Sequence, residues 1–240
     1  MGFRLKFQRA SACFGGAGIA VEFASPIIQS NTITNNTQTD CTGGGGAGIL
    51  LLGAGSGLIV SNTISNNSWS SGDGGGILMY GAGNPLILNN LITGNLTTGV
   101  FGGGGPSAAG GGIAMYGSAP LLGQNLIVNN NSDIGAGVYF SVPSASTGPL
   151  IVNNTILGND ATRGLGSAIY ADGFAGPAEL INNLLLAPGS ENVVFCSPYG
   201  LAINPSRRAN GLKSFGGCGV ARDNCFFISI ESTNLAARAI

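Results

Sequence analysis

The stretches NTITNN (residues 31–36) and NTISNN (62–67) differ at a single position. The same pattern returns as NLITGN (90–95), NLIVNN (125–130), NTILGN (154–159) and NLLLAP (183–188). Its first Asn falls at 31, 62, 90, 125, 154 and 183, so the spacings are 31, 28, 35, 29 and 29 residues. A short apolar run such as PLIVN precedes each block. Between blocks comes a Gly-rich stretch ending in an alternating segment: GIAVEF, GILLLG, GILMYG, GIAMYG, GVYFSV and SAIYAD. β-Branched residues, glycine density and period-2 alternation exclude a helix. One unit is three short strands separated by turns, repeated six times.

Such a unit cannot bury its apolar face alone, and stacking it on its neighbours does so. Each strand then lies on its counterpart at about 4.8 Å per coil. A propeller blade needs roughly 40–50 residues, more than this period allows. The chain is therefore expected to be an all-β parallel solenoid of about six to seven coils. Asn31, Asn62, Asn90, Asn125, Asn154 and Asn183 are expected to stack as a ladder whose amides bond from coil to coil, in corners where Asn accepts the left-handed backbone. Four residues further on stand Asn35, Asn66, Gly94, Asn129 and Gly158, the two residue types that best accept positive φ.

In this frame CTGGGGAGIL (41–50) changes meaning. Gly43, Gly45 and Gly48 satisfy the G-x-G-x-x-G spacing of a dinucleotide-binding turn. That turn requires a buried strand before it and a helix after it, whereas GIL opens a strand. GDGGGI, GGGIAM and GAGVYF repeat the pattern in later units. The glycines serve tight turns and close backbone approach.

The unit P-x-I-x-x-N-x-I-x-x-N followed by G-G-G-I resembles the right-handed parallel β-helix repeat of the pectin lyase-like superfamily. It is closest in kind to bacterial secreted or cell-surface β-helix repeat proteins. The resemblance covers roughly residues 13–205. It implies a right-handed coil and, in sugar-acting members, a substrate cleft on the strand face beside the Gly-rich loops. Members are lyases, hydrolases, adhesins and proteins of unknown role. They usually begin with a signal peptide and an amphipathic cap, which MGFRLKFQR and the glycine-broken ASACFGGAGIAV match weakly. Residues 1–12 read as a truncated cap or weak signal, 13–188 as the repeats and 189–240 as a cap or irregular tail. An extracellular or cell-surface location is expected.

Composition narrows the chemistry. Only 8% of the 240 residues are charged and His is absent. Residues 10–206 carry eight acids against Arg163 alone, a poor surface for nucleic acid, which needs several cations on one face. No 18-residue stretch is apolar enough for a transmembrane helix. Cys13, Cys41, Cys196, Cys218 and Cys225 show no C-x-x-C spacing, so neither a metal site nor a cofactor is expected. A disulfide among the last three, or buried free thiols, are the two readings of the cysteines.

In the alternating segments the first Ile or Val is expected inside. The outward positions are then Ala20/Glu22, Leu50/Leu52, Leu78/Tyr80, Ala114/Tyr116, Tyr139/Ser141 and Tyr170/Asp172. Four of the five tyrosines share this face. Tyr80, Tyr116, Tyr139 and Tyr170, with Trp69 in a loop wall beside them, are the candidates for contact with a polysaccharide or cell-surface glycan. Packing of the same rings against the loops is the competing reading. For catalysis the candidates are Asp160, Arg163 and Asp172, read as a loop cluster. The resemblance attaches lyase activity to Asp-bound calcium with an Arg base, and hydrolysis to an Asp cluster with a His. Glu22 and Asp172 stand more than about 20 Å apart at the coil rise, outside the range of a glycosidase pair. A structural or adhesive module is the leading expectation, and a polysaccharide lyase or glycoside hydrolase the alternative.

Overall fold

The computed structural model of the chain describes residues 4–6, 15–39, 44–53, 55–99, 108–143, 146–172, 178–189, 191–197, 215–216 and 226–227. Every strand pairing is parallel and joins one coil to the next, as Ile49–Leu52 with Ile77–Tyr80 and Ile77–Tyr80 with Ile113–Tyr116. The strands collect into four sheets that run along the solenoid. The expected right-handed parallel β-helix is what the chain forms.

Each coil holds four strands, where the repeat alone suggests three. One coil is Ile77–Tyr80, Leu86–Leu88, Leu91–Thr93 and Leu96–Thr98, contributing to the first, second, third and fourth sheets. The fourth sheet is the addition: Thr37–Gln38, Ser68–Ser70, Leu96–Thr98, Asn131–Ile134 and Asp160–Leu165. These segments are short and polar and lead into the glycines, so their alternation is hidden. Among the described residues five coils carry all four strands, against the six to seven expected. Partial rungs continue the stack, with Arg4–Lys6 pairing Thr32–Thr34 and Val194–Cys196 pairing Ile169–Asp172. The tail after residue 205 lies outside the described residues except for the strands Phe215–Gly216 and Phe226–Phe227.

The core is a set of aliphatic columns. Ile33, Ile64, Ile92, Ile127, Ile156 and Leu185 stack inside the third sheet, all without exposure. The first sheet contributes two inward residues per strand, as Ile77/Met79 and Val138/Phe140. Each such burial stabilises by about 1.5–3 kcal/mol relative to exposure.

Two asparagine ladders fasten the corners on either side of the third sheet. In the expected one, each side-chain Nδ2 donates to the Oδ1 of the next: Asn31 to Asn62, then Asn90, Asn125, Asn154 and Asn183, all at 3.0–3.1 Å. Its residues do not themselves take the left-handed backbone. That falls to the preceding Ser30, Ser61, Asn89, Gln124, Asn153 and Asn182, with φ of 52–56°. The second ladder runs Asn36, Asn67, Asn95, Asn130 and Asn159 at 2.8–3.0 Å. The left-handed residue before each of these is the predicted Asn35, Asn66, Gly94, Asn129 or Gly158. Both corners use one device: a positive-φ residue turns the chain, and the next Asn points inward to hold the neighbouring coils.

The last glycine of GGAGIL is explained by the close approach of coils at this second ladder. A Cβ on Gly48 would stand 2.5 Å from the Gly76 carbonyl oxygen and 3.0 Å from Asn67 Nδ2. Gly48 is thus a point of backbone contact between coils, not a phosphate cradle. Gly43 lies outside the described residues.

Candidate functional site

The first sheet presents two outward columns. Strand register places Ala20, Leu50, Leu78, Ala114, Tyr139, Tyr170 and Phe195 in one. Glu22, Leu52, Tyr80, Tyr116, Ser141 and Asp172 form the other. The alternation therefore reads inside and outside as expected, but outside is not the same as exposed. Leu50, Leu78, Ala114 and Tyr139 pack with Ala109 beneath the Gly-rich loops as a second, smaller core.

The four tyrosines come together, crossing from one column to the other. Ring centroids lie 5.9 Å apart for Tyr80–Tyr116, 5.3 Å for Tyr116–Tyr139 and 5.6 Å for Tyr139–Tyr170. Phe195 extends the row, 5.0 Å beyond Tyr170. Interplanar angles of 25–45° show that the rings lean on one another. The inner rings spend their faces on neighbours within the row, while Tyr80 has one ring neighbour there. Exposure falls from 58% at Tyr80 to 5% at Tyr139, so Tyr139 is withdrawn from any ligand and Tyr80 is the open end.

Trp69 corrects the expected loop wall. It sits in the strand Ser68–Ser70, 1% exposed, beside Ala47. Its indole Nε1 is buried without a hydrogen-bond partner. A ligand cannot reach it.

The hydroxyls within the row are also committed. Tyr116 donates to Asp73 Oδ2 at 2.6 Å, and Tyr139 donates to Asp172 Oδ2 at 2.9 Å. Each of the two carboxylates is thus held by its own phenol. Asp73 also accepts the Ala109 amide at 2.7 Å. Burial raises the Asp73 pKa above its ordinary 3.8, against the lowering effect of the Tyr116 and Ala109 bonds. Burial, then the Asp73 charge, pushes the Tyr116 phenol far above 10. Burial and the charge of Asp172 do the same for Tyr139. Burial raises Tyr170 as well, although Ser197 bonds to it. Asp73 is absent from the candidates read in the sequence. Its place just before GGGI, where each Gly-rich turn enters the first sheet, was the available signal.

Asp160, Arg163 and Asp172 do not form a loop cluster. Asp160 and Arg163 belong to the fourth-sheet strand Asp160–Leu165, and Asp172 ends a first-sheet strand. Asp160 accepts Asn131 Nδ2 at 3.1 Å, while Asp172 is held by Tyr139. Among the described residues, no three Asp, Glu, Cys or His side chains gather in a metal-binding group. No helix among them is long and apolar enough to cross a membrane.

Residues 5–205 match the family model described as a right-handed β-helix region. The chain belongs to the right-handed β-helix family. No match was found among curated proteins, and none among solved structures. For this β-helix, membership agrees with a structural or carbohydrate-related module in general. The residues on the first sheet must supply anything finer.

Proposed function

We propose that this β-helix is a non-catalytic structural or adhesive module acting outside the cell, with glycan contact at the open end of its aromatic row. One observation carries the reading: Asp73 and Asp172, the carboxylates nearest the row, are both held by tyrosine hydroxyls. A general acid or base must reach a substrate proton, and these two are already engaged by the protein's own hydroxyls. The stacked rings then act as a strut along the first sheet. The disulfide at Cys196 suits an oxidising compartment.

The test is incubation of the purified chain with uronic-acid and neutral polysaccharides, following new reducing ends and unsaturated ends. No cleavage is expected, with retention of the chain on one or more insoluble glycans. Turnover that disappears in Asp160→Asn, Arg163→Ala or Asp172→Asn would overturn the reading in favour of a lyase or hydrolase.

A further inference from the structure

We infer that the corner beside Tyr80 is a binding site for a neutral glycan, built on Phe23, Gly53, Gly81 and Tyr80. The inference rests on the proposed glycan contact and names its place and ligand class. Phe23 follows the strand Ile19–Glu22 and is 80% exposed, the most exposed large apolar side chain described. Its backbone is left-handed, with φ of 51°. The equivalent positions in the next three coils, linked by the same amide-to-carbonyl pattern, are Gly53, Gly81 and Gly117. A bulky aromatic thus occupies a conformation its neighbours leave to glycine, while its ring remains in water. The contact of one ring face with Gly53 leaves most of the ring in water, and such outliers gather at ligand sites.

The surroundings complete a platform. The Phe23 ring lies over Gly53, with Cε1 2.5 Å from where a Cβ on Gly53 would stand. Gly53 in turn donates its amide to the Tyr80 carbonyl at 2.9 Å. Nothing lies within 4 Å of a Cβ placed on Gly81, so the floor beside Tyr80 is open. Phe23 and Tyr80 are the two exposed aromatics among the described residues. Their free faces can stack on the C–H face of a sugar ring.

Charge selects the class. Glu22 is exposed next to Phe23, and Asp172 lies further along the same column. Arg163, the one cation between residues 10 and 206, belongs to the fourth sheet. A uronate or sulfated chain would bring its own negative charges to a face where the described side chains supply acids and no counter-charge. A neutral hexose or pentose chain loses nothing there, and Glu22 can accept its hydroxyls.

The experiment is calorimetric titration of the full chain with neutral gluco-, xylo-, manno- and galacto-oligosaccharides, and with oligogalacturonate and oligoguluronate. Binding of at least one neutral series is expected, at least tenfold tighter than either uronate and unchanged by added salt. Phe23→Ala, Tyr80→Ala and Gly81→Asn should each weaken it tenfold or more with unchanged circular dichroism. Asn accepts the φ of 59° at Gly81 and would fill the open floor. Equal or tighter uronate binding, lost in the same variants, overturns the neutral class and leaves the glycan reading standing. Neutral binding untouched by all three variants overturns the site. Binding of no glycan overturns both the inference and the glycan contact it rests on.

Discussion

Replacing Asn125 with Ala removes four hydrogen bonds at the middle of the first ladder. The side chain donates to the Ile87 carbonyl at 2.8 Å and to Asn154 Oδ1 at 3.0 Å. Its Oδ1 accepts the Asn90 amide and Asn90 Nδ2, both at 3.0 Å. Some groups keep other partners after the change. Asn154 Oδ1 still accepts the Asn125 backbone amide, and Asn90 Nδ2 still reaches the Ile59 and Leu88 carbonyls. The Asn90 amide loses its acceptor inside the corner. With about 1 kcal/mol for each of the four bonds lost and about 1–3 kcal/mol for the Asn90 amide left unpaired, the substitution should cost about 5–7 kcal/mol. Asn31→Ala, at the outer rung, is the control. Asn62 Oδ1 would keep the Asn31 backbone amide, so about 1–2 kcal/mol is expected. Urea denaturation followed by circular dichroism gives the two costs. Hydrogen exchange at the Asn90 amide reads the local effect without assuming that all coils unfold together. Equal costs at Asn125 and Asn31, or unchanged exchange at Asn90, would refute the ladder as the fastening of the coils.

Gly48→Ala forces a Cβ against the Gly76 carbonyl, and a loss of about 1–3 kcal/mol should appear as a lower Tm. Trp69, the sole tryptophan, should emit at short wavelength and resist iodide quenching. Trp69→Ala should cost about 3–5 kcal/mol in urea titrations, whereas a loop-wall tryptophan would cost little. Asp73 holds a proton in the folded chain at pH values where the unfolded chain has lost it, because burial raises its pKa above 3.8. Its contribution is therefore greatest below pH 3.8, declines as pH rises through the raised folded value and is flat beyond. Stability curves of Asp73→Asn and the parent should differ by that slope, and parallel curves would contradict it. One glycine inserted between Leu126 and Ile127 should unfold the chain, because Ile127 leaves the core and Asn125 falls out of step with Asn130. The same insertion between the exposed Gly83 and Asn84 should leave Tm within a few degrees.

The coil, its parallel stacking and the first ladder were legible because they rest on period. Isoleucine at the centre of each N-x-I-x-x-N block and asparagine at its start recur whatever the loops do. The second ladder was equally legible in principle, since Asn36, Asn67, Asn95, Asn130 and Asn159 each end a block. It is masked by the residue before it, whose alternation between Asn and Gly draws the eye to backbone conformation. The fourth strand and Trp69 were not legible. Ser-Trp-Ser gives no alternation of its own, and only the pairing with Gln38 and Thr97 makes it a strand. The tyrosines were placed on the correct side of the sheet, but sequence alternation cannot tell a ring facing water from one beneath a loop. Nor can it show that a hydroxyl is held, as Asp73 holds Tyr116 and Asp172 holds Tyr139.

The spacing of the repeats also shows where this fold is free to change. Five residues separate the first-ladder and second-ladder asparagines in all five coils that have both. Variation is confined to two intervals. From the second-ladder Asn to the glycine of the next coil's G-I or G-V, the count is 12 from Asn36 to Gly48, 17 from Asn95 to Gly112 and 7 from Asn130 to Gly137. From that glycine to the next first-ladder Asn it is 14 for Gly48 to Asn62 and 17 for Gly137 to Asn154. These intervals enter and leave the first sheet. The reason is physical: an extra residue between the ladders would turn every following side chain to the wrong face, whereas an extra residue in a solvent-facing turn costs little closure entropy. The ladders thus hold the second corner and the third sheet constant and release both margins of the first sheet. Asp73 lies on one margin and Phe23 on the other. That the two features least explained by the repeat stand where the repeat is relaxed is the strongest structural reason to seek function on this face.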